Sequence, residues 1–240
     1  MKAKKSALIT GANQGLGFET AKQLAKLGYY VYIGSRDKSK GIEAKEKLNE
    51  FGLTNVELIE IDVTNINSIK SARQALEAKT DKLDVLINNA GIAGKQPQNL
   101  SLNNIEDLRR VFETNFFGAV QTTQQFIDLL KKSDEPRIVN VSSGLGSLTF
   151  HSSSPDFGMY AVYSCSKTAL NAFTVNLAKE LKDTNFKINS VEPGYTATNL
   201  NHYQGTQTPE EAVGVIVKYA TIDNDAPTGK FFNKDGAFAW

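Results

Sequence analysis

At 240 residues the chain has room for one sizeable α/β domain or two small ones. With 40% hydrophobic and 22% charged residues and a formal net charge of +1, it reads as an ordinary globular protein, and neither nucleic acid nor an anionic membrane is expected as a partner. A single cysteine, Cys165, excludes an intrachain disulfide and suits a reducing compartment. The basic stretch Met1-Lys-Ala-Lys-Lys-Ser6 is followed only by Ala7-Leu-Ile9 before polar residues and glycine, too short for a secretory apolar region. No run approaches the roughly 18 apolar residues of a membrane span. The expected location is the cytoplasm.

In chain order, residues 5–10 read as a buried strand running into Gly11-Ala-Asn13-Gln14-Gly15-Leu16-Gly17. Residues 18–27 then carry apolar side chains at helical spacing and end at Gly28. Strand, glycine loop and helix form the setting of a dinucleotide-binding unit, here spaced G-x-x-x-G-x-G. Missing Cβ atoms let the backbone approach a pyrophosphate, and the helix N-terminus offers free N–H groups to it. Residues 29–34 form a second strand leading to Ser35-Arg36-Asp37. An acid at this corner holds ribose hydroxyls, whereas an arginine accommodates a 2′-phosphate. Arg36, helped by the Ser35 hydroxyl, points to NADPH, with Asp37 as a shifted acid the competing reading and NADH still possible.

A charged helix over 38–51 precedes a third strand over 56–63, which leaves Asp62 and Val63 at its end. Asp62 either bonds an adenine amino group or caps the next helix, over 66–78. A fourth strand over 83–88 runs into Asn88-Asn89-Ala90-Gly91, and ligands bind where such strands leave a parallel sheet. A long helix is expected over 101–132. Within it Asn115, among apolar neighbours, is either a helix-kinking amide or part of a polar relay. A fifth strand over 137–143 ends in Ser142-Ser143. The β-α alternation with short turns argues for an α/β fold, a Rossmann-like doubly wound parallel sheet of about seven strands with helices on both faces, as one domain over 1–240.

Tyr163 and Lys167 stand four apart on the next helix and share a face. An ammonium beside a phenol favours the phenolate and brings its pKa, about 10 when free, toward neutrality. Such a phenol can act as acid and base. Cys165 faces away from this pair and reads as packing. A helix to residue 181, a strand over 187–192, Pro193-Gly194-Tyr-Thr196-Ala-Thr198, a helix over 209–220 and a closing strand over 228–232 complete the chain.

The glycine loop, Asn88–Gly91, Ser142-Ser143, Tyr163-x-x-x-Lys167 and Pro193-Gly194 occur in the order found in short-chain dehydrogenases/reductases. The resemblance spans essentially all 240 residues. It is strongest to the NADPH-dependent carbonyl reductase branch, through Asn13-Gln14, Ser35-Arg36-Asp37 and the ending Thr228-Gly-Lys-Phe-Phe232…Trp240. It implies Tyr163 as proton donor to a carbonyl and Lys167 as holder of the nicotinamide ribose that lowers the phenol pKa. It also implies Ser143 as hydrogen-bond donor to the substrate oxygen and Asn115 as carrier of a water that links Lys167 to solvent. Strand alternation separates Ser142 from Ser143, and the family uses the second. Cofactor contacts follow by position at Gly11, Asn13, Gln14, Gly15, Leu16, Gly17, Ser35, Arg36, Asp62, Val63, Asn89, Ala90, Gly91, Pro193 and Gly194, with Tyr163 and Lys167. Thr196 or Thr198 is placed beside the nicotinamide carboxamide.

Ser143 and Tyr163 lie 20 positions apart, longer than in most of the family. The extra loop, around residues 150–157 with His151 and Pro155, borders the expected substrate mouth. Tyr160, whose partner four residues on is Ser164, reads as a pocket wall, and His202 as a solvated loop residue. The short segment after residue 198 leaves little for a lid, so an open pocket is expected. No metal-ligand cluster stands out. A monomer, or a dimer or tetramer through the long helices, fits the resemblance. The expected activity is NADPH-dependent reduction of an aldehyde, ketone or quinone-like carbonyl. The alternatives are an alcohol or steroid dehydrogenase working oxidatively, an isomerase, epimerase or dehydratase on the same scaffold, and a dinucleotide-binding regulator without turnover.

Overall fold

The computed structural model describes residues 5–153 and 160–240. Its sheet comprises β1 Ser6–Ile9, β2 Tyr30–Ser35, β3 Val56–Glu60, β4 Val85–Asn88, β5 Arg137–Val141, β6 Lys187–Val191, β7 Phe231–Asn233 and β8 Gly236–Ala237. The helices are α1 Gly15–Lys26, α2 Lys38–Glu50, α3 Ile66–Glu77, α4 Ile105–Phe112, α5 Gly118–Leu130, α6 Leu148–Ser153, α7 Ala161–Glu180, α8 Pro209–Ala212 and α9 Gly214–Ala220. Spatial order is β3-β2-β1-β4-β5-β6-β7-β8, so the chain reverses its direction of growth between β1 and β4. The first seven strands are parallel, and β8 turns back antiparallel to β7. The seven expected strands are therefore the parallel ones. The added β8 follows a tight turn in which the Asp235 amide donates to Asn233 Oδ1 at 2.9 Å.

Strand alternation divides the interior into two cores. Ala7, Ile9, Val31, Ile33, Ile87, Val139 and Val191 face α1, α2 and α9, meeting Leu24, Leu48 and Ile216. Leu8, Tyr32, Leu86, Ile138 and Ile188 face the other way, against Ile69 of α3, Phe126 of α5 and Ala178 of α7. Strands buried on both faces read as continuous apolar runs, which is what made them visible in the sequence. Fully burying an aliphatic side chain of this kind contributes about 1.5–3 kcal/mol, so the two cores fix the sheet and thereby the strand ends.

Several elements differ from expectation. The single helix over 101–132 is α4 and α5 joined by a π turn, Glu113–Phe117, and it starts only at Ile105, where the Asn104 side chain accepts from the Glu106 amide. β3 stops at Glu60 because Asp62 Oδ1 accepts from the Thr64 amide at 3.0 Å and turns the chain. The helix over 209–220 divides at Val213, whose ψ of −7° departs from helical values. Gly229, with φ +67°, keeps residues 228–230 out of β7. Part of the expected insertion loop is helical, as α6; its remainder, including Pro155, lies outside the described residues.

Candidate active site

The carboxyl ends of β1, β4, β5 and β6 open into one cleft of about 1410 Å³. At the end of β1, Thr10 Oγ1 accepts from the Asn89 and Ala90 amides, both at 3.0 Å. Asn89 Nδ2 donates back to the carbonyls of Thr10 and Gly11 at 2.8 and 3.1 Å, tying the glycine loop to the end of β4. Gly17 must be glycine at this crossing, since a Cβ there would lie 2.5 Å from both Gly11 O and Asn89 Nδ2. Gly11 has φ +63° and an added Cβ would meet Ala90 Cα at 3.0 Å. Gln14 stands at the N-cap of α1 without a side-chain cap bond, and the first turn carries no acid. The leading amides and dipole of α1 are therefore turned toward the cleft as an anion site.

At the end of β2 the residues separate by role. Ser35 is buried, lies off the cleft, and donates its hydroxyl to the Asp37 carbonyl at 2.7 Å. Asp37 caps α2, accepting from the Lys40 amide at 3.1 Å. Both take part in building the turn, while the Ser35 oxygen and the second carboxylate oxygen of Asp37 keep further acceptor sites. Arg36 is exposed on the cleft rim and makes no ion pair among the described residues. Asp62 and Val63 line the same end. Asp62 does not cap α3, whose N-cap is Asn65; it holds the Thr64 amide and hydroxyl instead.

The floor of the cleft is built by β5 and α7. Tyr163 and Lys167 are both buried and lie on one face of α7, with Lys167 Nζ 5.6 Å from the Tyr163 ring centre. Lys167 Nζ donates to Val141 O at 2.8 Å. The Ser143 hydroxyl lies close enough to the Tyr163 phenol to lower its pKa, while Ser142 Oγ is buried without a partner among the described residues, so the second serine is the one beside the phenol. Gly146 lets α7 come this close, since a Cβ there would lie 2.9 Å from Lys167 Cβ.

The electrostatics differ from the expectation that Lys167 lowers the phenol pKa. Burial pushes Tyr163 up to about 12, partly offset by the nearby Ser143 hydroxyl, and Glu192 raises it further. Burial also lowers Lys167 to about 8. Desolvation disfavours the charged form of both groups and is the leading cause of each shift. Among its protein neighbours Tyr163 is a protonated phenol at neutral pH.

Asn115 sits in the π turn, a feature that re-aims side chains at functional sites. Its Oδ1 accepts from the Ile92 amide at 2.8 Å, and its Nδ2 donates to Ile92 O and Ser166 Oγ, each at 3.0 Å. Asn115 thus lies where the helix is interrupted, and it joins the segment after β4 to α7. Its bonds run to Ile92 and Ser166, with none to Lys167.

The cleft is also lined by Phe150, Tyr160, Tyr195, Leu200, Tyr203 and Phe238. Phe150 and Phe238 rings lie 6.2 Å apart, so the last residues of the described chain brace α6. Tyr160 is a wall residue as expected. His202 and Tyr203 both have positive φ, 54° and 61°, which sets their side chains at the mouth. Such conformations cost energy and cluster at ligand clamps. The loop is closed at its base by the Ala197 amide donating to Gln207 O at 2.8 Å and by Gln207 Nε2 reaching Pro193 O.

The short chain dehydrogenase family model matches residues 5–209. The chain belongs to this family. Short-chain dehydrogenase anuI of Penicillium roqueforti is 38% identical over 226 residues, covering 91% of this chain and 89% of its own. Salutaridine reductase of Papaver bracteatum is 31% identical over an alignment 296 positions long, covering 95% of this chain and 94% of its own. Among solved structures, NADPH-bound carbonyl reductase from chicken fatty liver superposes with a TM-score of 0.87 at 26% identity, covering 99% of each chain. The fold and the oxidoreductase family are thereby established, as is the resemblance drawn from the motifs.

Within this short-chain dehydrogenase the cleft gathers Gly11, Asn13, Gln14, Gly15, Leu16, Arg36, Asp62, Val63, Asn89, Ala90, Gly91, Ser143, Tyr163, Lys167, Pro193, Gly194, Thr196 and Thr198 along its walls. Gly17, Ser35 and Asn115 stand behind them. Cys165 is exposed rather than packed. Residues the motifs did not disclose include Gln98, whose Oε1 accepts from the Tyr163 amide at 3.0 Å while its Nε2 donates to Ala93 O at 2.7 Å. Another is Glu192, a carboxylate on the cleft wall, flagged in the sequence only as the residue before Pro193-Gly194. No group of His, Cys, Asp and Glu suited to a metal ion occurs among the described residues, and no helix there is long and apolar enough to cross a membrane.

Proposed function

We propose that this chain, read as one nucleotide-binding oxidoreductase domain over 1–240, reduces an uncharged aldehyde or ketone to an alcohol with NADPH. The observation that carries the reading is the meeting of Tyr163, Ser143 and Lys167 on the floor of a cleft whose other end is a glycine loop and an unpaired arginine. The residues fit the dinucleotide. The α1 N-terminus with Gly11 and Gly17 suits the pyrophosphate, Asp62 and Val63 flank the adenine end, and Arg36 suits a 2′-phosphate. Asn89, Ala90, Gly91, Pro193, Gly194 and Thr196 or Thr198 would hold the nicotinamide half. Arg36 lines the cleft, whereas Ser35 and Asp37 lie off it and help build the turn, which favours NADPH over NADH.

The nicotinamide supplies the hydride. As negative charge grows on the carbonyl oxygen, the Ser143 hydroxyl stabilises it and the Tyr163 phenol delivers the proton. A phenol held near 12 carries its proton at neutral pH, the form that reduction needs and oxidation does not. Lys167 binds the ribose and helps return a proton to Tyr163, and Asn115 supports the relay by fixing the segment around Ile92. The mouth residues Phe150, Tyr160, Leu200, Tyr203 and Phe238 are apolar or aromatic, which suits a ring-bearing, uncharged substrate. The relatives' names, salutaridine reductase and (+)-neomenthol dehydrogenase, support such a substrate. A reducing, cytoplasmic setting agrees with the exposed thiol of Cys165.

The test is turnover of NADPH against a panel of cyclic ketones, aryl aldehydes and quinones, followed by nicotinamide absorbance. Reduction of at least one class is expected. Tight NADPH binding with no turnover of any carbonyl would instead mark a nucleotide-binding regulator.

A further inference from the structure

Beyond its field on the Tyr163 phenol, Glu192 has no part in the proton and hydride chemistry above, yet its carboxyl group lies on the cleft wall just beyond β6. Its Oε1 accepts from the Gly194 amide at 2.8 Å, and the Gly144 amide lies close enough to the carboxylate to favour its charged form. Gly144 packs directly on this side chain, so that a Cβ there would rest 3.6 Å from Glu192 Cγ. The two amides belong to different walls. Gly144 follows Ser143 and opens the turn Gly144–Gly146, whereas Gly194 begins the segment that carries Thr196 and Thr198.

Each wall is anchored from elsewhere as well. From α7, Thr168 Oγ1 and Asn171 Nδ2 donate to Gly146 O at 3.0 and 3.2 Å. On the other side, Gln207 Nε2 donates to Pro193 O. Past the ladder bond from the Ser142 amide to Val191 O, the Glu192 side chain bonds one wall at the Gly194 amide and packs against the other at Gly144. An anion placed where negative charge develops opposes the reaction by its field. Its position is accounted for by what it holds.

We propose that Glu192 is a positioning residue that clamps the turn Gly144–Gly146 to the Pro193-Gly194 turn, setting the spacing between Ser143 and the wall that faces the nicotinamide. The catalytic part of this proposal rests on the carbonyl-reductase reading; the clamp itself does not. Misplacement of reacting groups by about 1 Å costs on the order of 100-fold in rate, so a clamp at this point has a measurable effect on turnover.

Two variants separate the possibilities. Glu192→Ala removes the acceptor, while Glu192→Gln keeps an amide oxygen with two lone pairs but no charge. Hydrogen exchange of the full chain, resolved over residues 142–147 and 193–196, reads the clamp directly. Glu192→Ala should exchange the Gly144 and Gly194 amides roughly tenfold faster or more, with Glu192→Gln within about threefold of wild type. Turnover should follow, with kcat of Glu192→Ala down roughly 10- to 100-fold, KM for NADPH within about threefold, and kcat largely restored in Glu192→Gln. Unchanged exchange in Glu192→Ala overturns the clamp, and equal damage in both variants assigns the effect to charge and overturns it too. Faster exchange with unaltered kcat overturns the positioning role. If the wild type reduces no carbonyl, the functional reading fails, and the exchange data still decide the clamp.

Discussion

Replacing Arg36 by alanine should separate the two nicotinamide cofactors. The structure makes the expected size calculable because Arg36 is the charged side chain of this corner that lines the cleft, while Ser35 bonds the Asp37 carbonyl and Asp37 caps α2. A hydrogen bond involving a charged group contributes about 1.5–3 kcal/mol, and a guanidinium can give two to a phosphate. Arg36 is exposed, so solvent screening pulls the figure to the lower end. A loss of about 1.5–2 kcal/mol weakens NADPH by roughly 10- to 30-fold, while NADH changes by about threefold or less. Titrating each cofactor by nicotinamide fluorescence, with kcat/KM for both, measures the ratio directly. Raising salt should shrink the NADPH difference, and Arg36→Lys should fall between, since an ammonium lacks the fork. Equal weakening of NADH and NADPH would refute the assignment and return Arg36 to an ordinary surface role.

Tyr163→Phe should lower kcat by about 10²- to 10⁴-fold while NADPH affinity stays within about twofold, measured by turnover and titration; retained activity would shift the proton donor to Tyr160. Lys167 is held at about 8 in the fold against an ordinary value of 10.5, so between those values the unfolded chain binds more protons and stability rises with pH. The rise is on the order of 3 kcal/mol by urea unfolding, and Lys167→Met should flatten it; a flat wild-type curve from pH 8 to 10 would contradict the burial argument. Above pH 10 the opposite trend sets in, because Tyr163 keeps its proton to about 12 in the fold and loses it near 10 when unfolded. Gly17→Ala places a methyl against the Gly11 carbonyl and Asn89, and should cost about 1–3 kcal/mol in unfolding free energy and weaken both cofactors alike. A Gly17→Ala protein with wild-type Tm would show that the loop yields easily.

The inner strands were legible because they are buried on both faces and carry mostly apolar residues between turns, as in Ser6–Ile9 and Val85–Asn88. Spacing alone also placed Tyr163 and Lys167 on one helix face, since residues four apart must share it. Order along the chain, from glycine loop to Pro193-Gly194, was enough to mark the family and to name most of the cleft. What sequence could not supply was how side chains divide their hydrogen bonds. Ser35, Arg36 and Asp37 are adjacent and equally polar, and only the β2–α2 turn decides that the first and third bond the backbone while the second is free. The π turn at Asn115 is invisible to periodicity because it adds one residue to an otherwise helical pattern. The pKa values of Tyr163 and Lys167 follow from burial beneath the cleft, a property of the packed fold, and burial reversed the shift that charge proximity alone suggested for the phenol. Glu192 likewise gains its meaning only when β5 and β6 set Gly144 and Gly194 side by side, because residues some fifty positions apart become neighbours through the sheet and not through the chain.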